Sequence, residues 1–170
     1  MNERPTPEDL AVIQNQLGRT PRDVHAISYL CPCGKPAVVA TPPRLSDGTP
    51  FPTFYYATCP KLTGAISTLE TTGMMAEMQE RLGTDKDLAA AYQKAHEQYQ
   101  AARNELGMDV PEVKGITAGG MPDRVKCLHS LVAHSLSAGP GVNPLGDEAL
   151  AALPKWWLND SCEAITEESK

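Results

Sequence analysis

Apolar residues change period along this chain, from helical to strand-like and back. Thr6-Pro7-Glu8-Asp9 reads as an N-cap, a proline at the first helical position and acids in the first turn. Leu10, Ile13 and Leu17 follow at spacings of three and four, and Gly18 ends this first predicted helix. Residues 24–30 and 37–41 are then rich in β-branched and apolar side chains, and 53–58 (Thr-Phe-Tyr-Tyr-Ala-Thr) is the strongest strand signal. A connection dense in proline and glycine (42–52) separates the last two.

From Pro60 the helical period returns. Leu62, Ile66 and Leu69 start it, a short helix is predicted over 74–82, and the longest over 85–106. In that last helix Leu88, Tyr92, Ala95, Tyr99, Ala102 and Leu106 alternate by four and three, a narrow seam for the core or for a partner helix. His96 falls off the seam and is expected in solvent. Another helix is predicted over 122–138, and a last one starting at the cap Asp147 and ending at Leu153. Trp156-Trp157 is expected to fold back on the core or to form an exposed patch. These elements predict an α+β fold, a small antiparallel sheet of about three strands packed with several helices. They form one globular domain over 1–158, with a polar, disordered tail over 159–170 that contains Cys162.

Composition narrows the function only broadly. The net charge of −6 argues against general nucleic-acid binding, which needs a basic face. No run is long and apolar enough to insert in a membrane, and residues 1–9 are too polar for a signal peptide, so a cytoplasmic location is expected. Five cysteines in such a chain are expected as reduced thiols or metal ligands.

The densest chemistry is Lys126-Cys127-Leu128-His129-Ser130-Leu131-Val132-Ala133-His134, one thiol and two imidazoles in nine residues. On a regular helix Cys127 and His134 fall about 20° apart and His129 about 160° from Cys127. Cys127 and His134 therefore share a face, although about 10 Å of axial rise separates them. Cys31-Pro32-Cys33-Gly34 and Thr58-Cys59-Pro60 supply further thiols at element junctions. The sharpest metal reading joins Cys127 to Cys59 and to Cys31 or Cys33, with His134 as fourth ligand or as a neighbour that orients one. Zinc is favoured over iron, and an open coordination position would permit hydrolysis through activated water. Buried structural thiols and a catalytic Cys127 are the rival readings. The latter lacks a base, since His134 is two turns away and His129 faces aside. Gly119-Gly120-Met121-Pro122-Asp123, leading into a helix with Arg124 and Lys126, suggests a weak site for a small anion at Gly119, Gly120, Arg124 and Lys126.

Three segments together, 31–39 (Cys-Pro-Cys-Gly-Lys-Pro-Ala-Val-Val), 47–60 (Asp-Gly-Thr-Pro-Phe-Pro-Thr-Phe-Tyr-Tyr-Ala-Thr-Cys-Pro) and 119–129, resemble the bacterial DUF501 family, whose function is unknown. The resemblance spans roughly residues 18–158. It implies a cytoplasmic housekeeping role with a partner in cell division or phosphate metabolism. It also implies that Cys33 is dispensable, which leaves Cys31, Cys59, Cys127 and His134 as the expected metal ligands. A non-catalytic adaptor with buried structural cysteines, using the 85–106 helix or the tryptophan pair to meet a protein partner, is the alternative function.

Overall fold

The computed structural model describes residues 3–159 and Cys162. Helix α1 (Pro7–Leu17) starts as its sequence demands. Thr6 accepts the Asp9 amide, the Asp9 carboxylate accepts the Thr6 amide, and Gly18 closes the helix at φ 68°. Strands β1 (Ala26–Leu30), β2 (Pro36–Ala40) and β3 (Tyr55–Ala57) form one antiparallel sheet in the order β1-β2-β3. The apolar run of β2 makes it the central, wholly buried strand. Ala40 lies opposite both Ala26 and Tyr55.

Five helices follow: α2 (Pro60–Glu70), α3 (Met74–Thr84), α4 (Lys86–Asn104), α5 (Leu128–Ala138) and α6 (Pro144–Ala152). A three-residue 3-10 turn (Pro111–Val113) interrupts the long loop after α4. The α+β expectation and the three-stranded sheet are both found. The α4 seam faces the core, with Tyr92, Ala95 and Tyr99 fully buried, so it is not free for a partner helix. Its Tyr99 hydroxyl accepts the amides of Phe54 (2.6 Å) and Tyr55 (3.2 Å), which satisfies backbone donors where β3 begins.

His96 departs from expectation. It is buried, with Nδ1 2.9 Å from the Thr117 hydroxyl and Nε2 beside Gln100. The loop after α4 folds back over this side of the helix, and no helical wheel shows that. The loop is anchored by Arg103, a buried guanidinium that donates to the carbonyls of Pro52 and Val113, both at 2.9 Å.

The helix predicted from 122 begins only at Leu128. Residues 119–127 form a turn that packs on the helix instead. Arg124 and Lys126 donate their amides back to the carbonyls of Gly120 and Gly119, each at 2.8 Å. The two glycines have positive φ, and a Cβ on Gly120 would meet the Arg124 backbone at 2.7 Å. Helix α5 packs against α6, β3 and α2. Trp156 and Trp157 pack edge to face, 4.7 Å between centroids, and lie against the core. Most of the predicted tail lies outside the described residues. Cys162 is an exception to its polar setting, being fully buried.

Candidate functional site

Two groups of side chains stand out, and between them they take three of the four expected ligands. The first gathers cysteines from distant parts of the chain. Cys31 follows the last residue of β1, and its carbonyl accepts the Gly34 amide in the tight turn that returns the chain as β2. That turn makes Cys31 and Cys33 converge, which two residues apart on a straight strand would not do. Cys162 completes the group: its Sγ lies 3.2 Å from that of Cys31, and the sulfurs of Cys31, Cys33 and Cys162 all lie within 4.8 Å of one another. Cys162 also meets the thiol of Cys59, the N-cap residue of α2. Gln16 of α1 holds this assembly by donating to the carbonyls of Pro36 and Cys162, both at 2.8 Å. Burial pushes the Cys31 and Cys162 thiols above their ordinary value. Burial acts the same way on Cys33, but hydrogen bonds from Lys35 and Cys162 outweigh it and bring that thiol down.

The second group is built on the start of α5. Cys127 is the N-cap residue, with extended backbone at φ −155° and ψ 111°. It stands outside the regular helix, so the wheel that set it opposite His129 does not apply. Its sulfur turns back over the first turn, where the Ser130 hydroxyl donates to it at 3.8 Å. His129 Nδ1 lies 3.1 Å from Glu70 Oε1, and His129 Nε2 lies 3.1 Å from the Thr63 carbonyl and 3.2 Å from the Ser67 hydroxyl. The Glu70 carboxylate, Cys127 sulfur and His129 ring fall within 4.8 Å of each other. Pairing with Cys127 pushes His129 up to about 9 despite its burial, and Glu70 adds to that shift. Burial raises the Cys127 thiol, but His129, the Ser130 amide and the Ser130 hydroxyl outweigh it and hold the thiol below its ordinary value.

This second group opens on a cleft of about 420 Å³ between β3, the end of α1 and the starts of α2 and α5. Its walls carry Gln16, Thr53, Tyr55, Tyr56, Thr58, Thr63 and Ser130. None of its lining residues is Asp, Glu, Lys or Arg. Two wall residues hold buried oxygens without a hydrogen-bond partner among the described residues, Thr58 Oγ1 and Gln16 Oε1.

His134 belongs to neither group. Its Nε2 lies 2.6 Å from Gln98 Oε1, and Asn143 Nδ2 donates to its Nδ1 at 3.1 Å. It also stacks on Tyr55 and meets Tyr99 edge-on. Burial pushes it down to about 4, so it is a neutral core histidine. The four expected ligands thus sit in three places: Cys31 and Cys59 with Cys162, Cys127 with His129, and His134 in the core. The anion reading loses its premise too. Gly119 and Gly120 lie in a turn before the helix, and the amides of Arg124 and Lys126 are spent inside it. The Val125 amide goes to Gln79 and that of Leu128 to Glu70, while the Arg124 and Lys126 side chains face solvent.

Sequence reasoning missed Glu70 and discounted Cys162 and His129. Glu70 carries no signal beyond being an acid at a helix end. Cys162 carried one, as a cysteine in an otherwise polar stretch.

The profile of the family described as "Protein of unknown function (DUF501)" matches residues 27–151, most of the chain, and the chain belongs to that family. No curated protein and no solved structure matches it. Among the described residues no helix is long and apolar enough to cross a membrane.

Proposed function

We propose that this DUF501 protein binds a metal ion through Cys31, Cys33, Cys59 and Cys162, and that the ion is zinc in a structural role. The observation that carries this reading is the convergence of three sulfurs within 4.8 Å of one another, with Cys59 reaching the same Cys162. A tetrahedral zinc–thiolate site has bonds of about 2.3 Å and therefore sulfur–sulfur edges of about 3.8 Å; the sulfurs of Cys31, Cys33 and Cys162 are near that spacing, and Cys59 would close on them as the fourth ligand. Thiolates select zinc or iron over harder ions.

A set of four thiolates leaves no open position, so this centre holds structure and does not activate water. It joins the β1–β2 turn, the start of α2 and the segment beyond α6.

Elemental analysis of protein purified without chelator tests it. About one zinc per chain is expected, falling in Cys59→Ser and Cys162→Ser. Iron in the same amount would change the identity of the ion. A metal content near zero in the wild type would reduce the cluster to buried thiols.

A further inference from the structure

We propose that Cys127 is a nucleophile paired with His129, and that the cleft beside them takes an uncharged acyl compound, an ester, thioester or amide, for acyl transfer to water. This site shares no thiol with the cysteine cluster, and only Gln16 touches both, so the pair stands whether or not that cluster holds zinc.

The geometry has three parts. The sulfur sits at the N-terminus of α5, where helix amides favour a negative charge. Both ring nitrogens of His129 face oxygen acceptors, Nδ1 the Glu70 carboxylate and Nε2 the Thr63 carbonyl. With both protons on the ring, the imidazolium lies within 4.8 Å of the Cys127 sulfur and favours its thiolate. The pair then opens on a cleft whose wall holds buried, unpartnered oxygens at Thr58 and Gln16.

The same facts argue against a metal at Glu70, Cys127 and His129. A metal needs a ring lone pair, and both nitrogens point at acceptors. Glu70 Oε1 is already occupied by the Leu128 amide at 2.8 Å and by His129. The lining decides the substrate class. With no Lys or Arg in the wall, and with the thiolate and imidazolium cancelling, a phosphate or carboxylate has no counter-charge. A neutral carbonyl compound meets a wall that carries the hydroxyls of Thr53, Thr58, Thr63 and Ser130.

The reaction balances without an oxidant. The thiolate sulfur bonds to the carbonyl carbon while the carbonyl π pair moves to oxygen. On collapse the bond to the alkoxy, thiolate or amine group breaks, and that group takes the Nε2 proton of the His129 imidazolium, which gives up its hydrogen bond to the Thr63 carbonyl on the cleft side. Water then attacks the thioester, giving a proton to neutral His129, and the Cys127 thiolate leaves. Glu70 touches no reacting atom; it is a positioning residue that orients the ring.

The test uses the full chain, iodoacetamide and p-nitrophenyl acetate. Native Cys127 is expected to alkylate at pH 6.5 at least roughly tenfold faster than glutathione. Intact-mass spectra should show an acetyl adduct on Cys127 that decays as acetate is released. His129→Ala should abolish the rate advantage. Glu70→Gln should keep the adduct but move the alkylation profile to higher pH, and an unchanged profile would remove Glu70 from the site. The wild-type measurements need no variant, so a misfolded His129→Ala leaves the test intact. Alkylation no faster than glutathione, absence of the acetyl adduct, or alkylation that begins only after a chelator is added would each overturn the proposal. The last would mean a metal at Glu70, Cys127 and His129.

Discussion

Glu70 Oε1 accepts the Leu128 amide at 2.8 Å and faces His129 Nδ1 at 3.1 Å, so the last residue of α2 caps the first turn of α5. One carboxylate therefore occupies the positive end of a helix and orients a histidine. The protein supplies its own anion at the helix start, close to where the sequence suggested a ligand.

His129 should hold its proton unusually late. Its ring is expected to stay in the protonated state by NMR through pH 8 and to titrate near pH 9. Removing the main cause with Cys127→Ala should bring the midpoint down, and Glu70→Gln should do so to a smaller extent. A wild-type midpoint near the ordinary value of about 6.5 would mean that ring and sulfur do not pair.

Cys162→Ser should destabilise about as much as Cys59→Ser. Both thiols are fully buried, and a hydroxyl without a partner there costs about 1–3 kcal/mol, more if metal is lost as well. Thermal melts of the two variants beside Cys33→Ser, whose thiol is only half-buried, check this. A Cys162→Ser protein that melts with the wild type would place that residue outside the folded unit.

Gly146→Ala should cost roughly 2–3 kcal/mol in urea unfolding, although alanine is the better helix former. Gly146 sits in the first turn of α6, and an added Cβ would strike the Leu131 carbonyl and the Ser135 hydroxyl of α5. Full stability in this variant would show that α6 can move away from α5 at little cost.

Stability should fall as the pH drops from about 6.5 toward 4, with His134 contributing. Its folded value is pushed down to about 4 by burial, while in the unfolded chain it titrates near 6.5. Between these values the unfolded state binds the proton and the folded state does not, so acid favours unfolding. The contribution is present above about 6.5 and disappears on acidification, by about 1.4 kcal/mol for each pH unit crossed between the two values. His134→Gln should flatten that part of the curve; an unaltered slope would assign the acid sensitivity to carboxylates.

The elements were legible because each rests on local patterns. Thr6, Pro7 and Gly18 define α1 through capping alone, and the apolar run of β2 suffices for a buried strand. The α4 seam was readable for the same reason, since Tyr92, Ala95 and Tyr99 follow the helical period. The sites were not, because each depends on a non-local fact. Cys127 and His129 look opposed on a wheel, and they meet only because Cys127 stands outside the helix as its cap. Glu70 arrives from 59 residues away in sequence. His134 looked like a ligand from its neighbours, yet Gln98 and Asn143 had already taken both its nitrogens.

The contact between Cys31 and Cys162 spans 131 positions. During synthesis the early cysteines emerge long before Cys162, so the cluster cannot close until the chain has grown past α6. A chain that stops before Cys162 carries the sheet and the helices in its sequence, but lacks this long-range thiol contact. The matched family region ends at 151, so a fragment cut after that residue would lose the Cys31–Cys162 contact while its sequence keeps every element from β1 to α5.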